Sequence, residues 1–320
     1  MGEVTLTLKD SDQIEILVLM DNYTDVLMPS TEIVKRPPIA KDDKMLSDTL
    51  LSEHGLSLLV IAYRGDEVHN ILLDTGWTSI GVLYNMDLLN VNPENIESLV
   101  LSHGHMDHTG SLNKLLERIS HPVNLIVHPH AFKSPRYFDL QDGSRLVFPR
   151  TLDEAELESR GAQLILSDRA QLIAEGMVGV TGEVERVTEF EKGLPNAFME
   201  SQGKVVHDPI LDDQALVLSL RDKGLVIVAG CSHAGIINTL LYARKITGIE
   251  KIYAVFGGFH LTGALFEPII ERTIRELKIL HPKVLVPMHC TGWKAMKRFE
   301  EEFPSEFILN SVGSRYILSS

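Results

Sequence analysis

A chain of 320 residues with 44% hydrophobic content can bury a sizeable core, and its two cysteines, Cys231 and Cys290, exclude a disulfide-built secreted scaffold. The opening Met1-Gly2-Glu3-Val4-Thr5-Leu6 lacks the charged-then-apolar layout of a signal peptide, and no apolar run approaches the roughly 20 residues that span a bilayer. The balance of 44 acidic against 30 basic residues, a net charge of −14, opposes a phosphate polymer as partner, so neither nucleic acid nor membrane is expected and a reducing, cytoplasmic setting is favoured.

In chain order the first hundred residues read as strands over Val4–Leu8, Ile14–Met20, Leu56–Tyr63 and Val68–Asp74, the last two forming a hairpin across Arg64-Gly65-Asp66-Glu67. The polar, proline-bearing stretch from Asp25 to Glu53 reads as a long surface loop that reaches over the site. Trp77–Leu89 has helical spacing, Ile96–Leu101 reads as a buried strand, and Ser111–Ile119 as a helix. Beyond the strand Val123–His128, periodicity weakens from about 129 to 210, where prolines and glycines separate short β-like runs such as Leu164–Leu166 and Val178–Val180. This reads as an insertion that shapes a pocket or contacts a second subunit, so a homodimer is an expectation.

Regular alternation returns with the hairpin Ala215–Leu220 and Leu225–Ala229, a helix over Gly235–Thr247 and a strand over Lys251–Phe256. A helix over Phe266–Leu280, a strand over Val284–Pro287, a helix over Gly292–Glu301 and a strand over Arg315–Leu318 complete it. Lys294, Lys297 and Arg298 read as a solvated helix face rather than a phosphate grip. Two halves, each passing from hairpin to βα units, predict paired mixed sheets covered by helices on both outer faces.

The chemistry concentrates in Leu101–Gly110, "LSHGHMDHTG", where a strand runs into His103, His105, Asp107 and His108. Two histidines one residue apart can aim both imidazoles to one side of an extended backbone, and Asp107-His108 on the next turn can converge on a neighbouring point. One segment can then serve one or two cations; neutral imidazole and carboxylate suit zinc, and also iron or manganese. The opposing reading is a polar loop with incidental histidines, which four candidate ligands at the end of an apolar strand outweigh. No GxxxxGK phosphate loop and no G-x-S-x-G elbow is present.

This His-x-His-x-Asp-His pattern resembles the signature of the metallo-β-lactamase superfamily. The resemblance implies an α/β, four-layer αββα sandwich, a single domain spanning 1–320 with the insertion at about 129–210. It assigns His103 and His105 to a first metal and Asp107 and His108 to a second. His233 in "GCSHAG" would complete the first site, unless it caps the following helix, and His289 in "PMHCTG" the second, unless it satisfies a buried carbonyl. Where many members carry a bridging aspartate this chain has Cys231, either a thiolate ligand or a small residue packed beneath the site. Asp74 in "LLDTGW" resembles an acidic residue that orients a ligand histidine, against a strand-terminal turn aspartate. Cys290 reads as packing.

From their own context, His260 in "GGFHLTG" is expected to contact substrate or transfer a proton, Asp107 to take part in catalysis, and His54 in "SEHGLS" to reach the substrate. His69, His121, His128, His130, His207 and His281 have no convergent context. The expected function is metal-dependent hydrolysis, activated water attacking a small ester or phosphoester. "DNYTD", "SEHGLS", "GCSHAG", "GGFHL" and "PMHCTG" together are similar to a superfamily subgroup associated with 7,8-dihydropterin-6-methyl-4-(β-D-ribofuranosyl)aminobenzene-5'-phosphate synthase. That resemblance implies an alternative in which a pterin pyrophosphate condenses with ribofuranosylaminobenzene 5'-phosphate. A third reading is a non-catalytic metal-bearing binding or sensor protein. The small-molecule partner is thus a pterin or another phosphorylated compound.

Overall fold

A computed structural model describes residues 5–320. Among them, two large mixed sheets stack face to face. The first runs Ala162–Leu166, Val123–Val127, Ser98–Val100, Glu67–Leu73, Ser57–Arg64, Gln13–Met20, Arg315–Ser319, Val34–Lys35. The second runs Gln171–Ile173, Val178–Val180, Ala215–Leu220, Gly224–Ala229, Ile252–Gly258, Val284–Met288, with Asp10–Ser11 added parallel to Ala215–Leu220.

Period-two alternation decides which side chain enters which layer. Ile14, Ile16 and Val18 point into the space between the sheets, where they meet Leu216, Leu218, Val226, Val228 and Phe256. Their neighbours Leu17 and Leu19 point outward into a second cluster with Val82, Met86, Leu112, Leu115 and Leu116, from the helices Gly81–Leu88 and Leu112–Arg118. On the far side Val217, Ile227, Val255 and Leu285 pack under Ile236, Leu240, Ile274, Leu277 and Phe299, from the helices Ile236–Thr247, Ile270–Leu280 and Trp293–Glu302. The result is the αββα sandwich. Strands buried on both faces read as continuous apolar runs, which is why Ser57–Arg64 is buried over its first six residues.

Several expected boundaries shift for identifiable reasons. Val4 lies outside the described residues, and Thr5–Lys9 is not a strand: Leu6 N–H donates to Ile246 O at 2.6 Å, and its side chain packs with Ala170 and Ile246. The helix expected from Trp77 starts at Gly81, because the Trp77 and Thr78 amides donate to Glu53 Oε1 at 2.7 and 3.1 Å. The helix expected from Phe266 starts at Ile270, after a 3₁₀ turn over Glu267–Ile269.

The Asp25–Glu53 stretch lies against the helix Gly81–Leu88 instead of over the histidines. Val26, Pro37 and Ile39 face Leu88 and Leu89 across a cleft of about 290 Å³. Residues 129–210 divide three ways. Arg136–Asp139, Arg145–Val147, Ala197–Ser201 and Lys204–His207 form a separate four-stranded antiparallel sheet. Ala162–Leu166 is woven into the edge of the first large sheet, and Gln171–Ile173 with Val178–Val180 into the edge of the second. Lys294 pairs with Glu267, and Arg298 with Glu271 and Glu302, as a solvated face would. No helix among the described residues is long and apolar enough to cross a membrane.

Candidate metal centre

Each large sheet contains a run of parallel strands from which the site residues leave, three strands in the second sheet and, with Ala162–Leu166 at the edge, four in the first. In the first the others are Glu67–Leu73, Ser98–Val100 and Val123–Val127; in the second the three are Gly224–Ala229, Ile252–Gly258 and Val284–Met288. Loops leaving the carboxyl ends of such strands are where α/β sheets present ligands. Asp74 and the His103–His108 segment leave the first run; Cys231, His233, His260 and His289 leave the second. Their side chains meet at one edge of the sandwich.

The turn out of the strands is sharp. Asp74, Ser232, His260 and His289 have φ of 61°, 57°, 43° and 52°, left-handed conformations that cost a side-chain-bearing residue on the order of 1–3 kcal/mol. Surrounding contacts hold them there. Asp74 N–H donates to Val100 O, and the amide of His289 donates to Asp21 Oδ1 at 2.9 Å. Close approach of the sheets requires Gly230: a Cβ there would lie 2.1 Å from Ser102 Oγ. Likewise a Cβ on Gly104 would meet Ala131 O at 2.4 Å, so the residue between His103 and His105 must be glycine.

Two donor groups result, and a third set, Cys231, His233 and His260, spans them. His103, His105 and His233 form one, with His103 Nε2 3.0 Å from His105 Nδ1 and 3.2 Å from His233 Nε2. Asp107, His108, Cys231 and His289 form the other. In it His108 Nε2 lies 3.2 Å from Cys231 Sγ and 3.6 Å from Asp107 Oδ2, and His289 Nε2 lies 3.3 Å from Asp107 Oδ2. All seven residues are buried.

The protonation pattern fits a cation at the first group, whereas at the second His108 carries an extra proton that a bound ion would have to displace. Ser102 Oγ donates to Asp74 Oδ2 at 2.6 Å, so His103 Nδ1, 3.0 Å away, donates to that hydroxyl and leaves Nε2 bare. At most one of the three clustered nitrogens can point a proton at the others. The remaining lone pairs repel unless a cation lies among them. Burial and neighbouring imidazoles hold His103 and His233 well below the ordinary histidine range; burial and the Arg136 guanidinium bring His105 down to about 4. All three are therefore neutral near pH 7, the ligating form. In the second group burial opposes ionisation of Asp107, yet His108 and His289 outweigh it and keep the carboxylate far below its usual range. Burial alone would lower His108; Asp74 and Asp107 overcome it and lift the imidazole to about 9. Neither ring nitrogen of His289 makes a hydrogen bond, although both are buried. Imidazole, carboxylate and thiol donors at these separations suit a transition-metal cation.

The structure thus brings together every residue proposed as a ligand from the sequence. His233 makes no side-chain capping bond to the helix after it, and His289 satisfies no carbonyl. Asp74 is not a free turn residue: its Oδ2 lies 2.6 Å from His108 Nδ1. Cys231 is buried within the second group, and Cys290 Sγ donates to Cys231 O at 3.4 Å. His260 stands beside His233, ring centroids 4.4 Å apart. Half-exposed His54 stacks on His289 at 4.9 Å, with Nε2 3.9 Å from Asp107 Oδ2.

Residues not proposed as ligands also hold the site, Asp21 and Asn22 of the "DNYTD" motif first among them. Asp21 binds the His289 amide and takes a 2.6 Å bond from Asn310 Nδ2, while Asn22 Nδ2 donates to His289 O at 2.8 Å. Asp212 Oδ2 accepts from Gly104 N at 2.8 Å, and Arg136 from the small sheet binds both Asp212 oxygens at 2.7 and 3.1 Å. Phe148 stacks on His105 at 4.9 Å. Of the histidines without convergent context, His69 pairs with Glu97 and His130 reaches to 4.0 Å from Asp212.

Comparison with known proteins agrees with this architecture. The family model described as metallo-beta-lactamase superfamily matches residues 55–228, and the chain belongs to that superfamily. It is 35% identical over 276 residues to a protein of Methanocaldococcus jannaschii named 7,8-dihydropterin-6-methyl-4-(beta-D-ribofuranosyl)-aminobenzene-5'-phosphate synthase, covering 86% of this chain and 93% of that one. An uncharacterised protein of the same archaeon is 32% identical over 266 residues, covering 82% of this chain and 92% of the other. Among solved structures, one described as a metal-dependent hydrolase of the beta-lactamase superfamily superposes with a TM-score of 0.72 at 25% identity, over 96% of this chain and all of the other. The chain is therefore an enzyme of this superfamily with residue groups able to hold metal ions.

Proposed function

We infer that this protein is a zinc-dependent hydrolase, also able to accept iron or manganese, acting on a small ester or phosphoester. The observation that supports this reading is the pair of donor groups side by side on one segment, His103 and His105 serving one and Asp107 and His108 the other. Cations there supply Lewis acidity and draw the pKa of bound water toward about 7. Asp107 would take part as an ionised carboxylate that helps hold the second cation and orients the attacking water by accepting its hydrogen bond, its Oδ2 facing His289 and the half-exposed His54. His260, across His233, is placed to return a proton to the leaving group. Asp74 holds His108 through Nδ1, keeping its Nε2 turned toward the second group. A cytoplasmic setting, and a homodimer formed through residues 129–210, belong to the same proposal; light scattering tests the latter.

A second reading is favoured by the M. jannaschii relative: a synthase joining a dihydropterin, activated as its pyrophosphate, to ribofuranosylaminobenzene 5'-phosphate. The same donors would then steady the departing pyrophosphate. Supplying metal-loaded protein with those two compounds, and separately with phosphodiester and lactone panels, separates the possibilities. Condensed product selects the synthase, and turnover of panel esters alone selects the hydrolase. Inactivity toward all of them at full metal occupancy overturns both in favour of a binding or sensor protein.

A further inference from the structure

We propose that the cavity beside His233 and His260 is the subsite for a planar heteroaromatic ring on the substrate, with a bicyclic pterin as the ring that the synthase reading supplies. The assignment rests on a metal-dependent reaction at the adjoining centre. The cavity, of about 190 Å³, lies between the 190–195 loop and the turn that follows the strand Ile252–Gly258. It exceeds the roughly 150 Å³ that holds a benzene molecule in an apolar protein cavity.

Its walls are aromatic and braced from behind. Phe259 is buried and meets Phe299 edge to face at 5.7 Å; Phe266 stands edge-on to His260 at 4.7 Å; the Arg272 guanidinium covers Phe190 at 4.6 Å. Such rings present flat faces at little cost in side-chain freedom, and stacking rewards a planar ligand. His260 and His233, ring centroids 4.4 Å apart, add imidazole rings to the wall on the side of the donor groups.

Charge argues against a phosphate in the interior. The helix Ile236–Thr247 begins here, but the amides of Ile237 and Asn238 already donate to the Glu191 carboxylate at 2.9 and 2.8 Å. An anion would find those donors taken and a carboxyl beside it. Lys192 is exposed, on the same loop as Glu191, and leaves a phosphorylated tail to the outer rim. The ring is thereby placed inside, and the reacting end of the substrate points past His233 to the donor groups.

The test is a fluorescence titration of metal-loaded protein with 6-hydroxymethyl-7,8-dihydropterin, alongside metal analysis and turnover of a non-aromatic phosphodiester or lactone. Saturable binding is expected, weakened about tenfold or more by Phe266→Ala and unchanged by Phe198→Ala on the small separate sheet. Leu265→Trp, at a 49% exposed lining position, should block binding without touching the core and covers the case in which Phe266→Ala fails to fold. Absence of pterin binding at full metal content, or binding indifferent to both substitutions, overturns the proposal. Binding that is lost as expected, in a protein inert toward every substrate, sustains the subsite and sinks the catalytic reading instead.

Discussion

Asp74 Oδ2 lies 2.6 Å from His108 Nδ1, and the same oxygen takes a 2.6 Å bond from Ser102 Oγ, so one carboxylate fixes a candidate ligand from each donor group, His108 directly and His103 through the serine. Removing its charge while keeping its shape should loosen both. Asp74→Asn is expected to weaken metal binding about 10–100-fold, the range typical of a lost carboxylate behind a ligating histidine. Competition with a chromogenic chelator measures it; unchanged affinity would show that Asp74 serves only the turn.

His105 and His289 each belong to a single donor group, so the losses caused by removing them should be separable. His105→Ala is expected to remove one equivalent of metal and His289→Ala the other, each together with activity. Atomic emission on purified variants reads the stoichiometry directly. Full retention of metal and activity by either variant would remove that histidine from the ligand set.

Cys231 Sγ sits 3.2 Å from His108 Nε2, within reach of the same ion as Asp107 and His289. As a ligand it binds through its thiolate, so cobalt-substituted protein should show a thiolate-to-metal charge-transfer band in the near ultraviolet. Cys231→Ser should abolish the band while preserving the fold by circular dichroism. A wild-type spectrum lacking the band would assign Cys231 to packing.

Buried Asp212 would by burial alone be a weak acid, but the Arg136 guanidinium outweighs that and holds its carboxyl well below the usual carboxylate range. For a carboxylate depressed in the folded state, the stabilisation is complete above the unfolded value of about 3.9 and is lost as pH falls through the native value. Asp212→Asn should therefore flatten the decline in stability on the acid side of pH 4. At neutral pH it should cost about 3 kcal/mol, the low end for a broken buried pair, because Asp208 still lies 3.1 Å from Arg136 Nε. Urea unfolding at pH 7 and pH 3.5 checks both; identical pH slopes for the two proteins would refute the assignment.

What was legible in the sequence had local form. The histidine segment, the strand-end positions of His233 and His289 and the two hairpins each announce themselves within a dozen residues, and the sandwich follows from them. What was not legible depends on partners far along the chain. Arg136 and Asp212 are 76 residues apart, Asp21 and His289 are 268 apart, and no periodicity links either pair. In the mid-chain stretch the β-like run Val178–Val180 is a strand, but its place beside Ala215–Leu220, and that of Gln171–Ile173 beyond it, rests on pairing with distant segments that three residues cannot announce.

Because His103, His105, Asp107 and His108 hang from one sheet, and His233, Cys231 and His289 from the other, any bound ion is a clasp between the two leaves of the sandwich. The unfolded chain cannot offer these donors together, so ion binding favours the closed molecule by mass action, about 2.7 kcal/mol when free metal stands at a hundred times its dissociation constant. Chelators should thus do more than silence the enzyme: they should let its halves part at a lower temperature, with the histidine edge opening first.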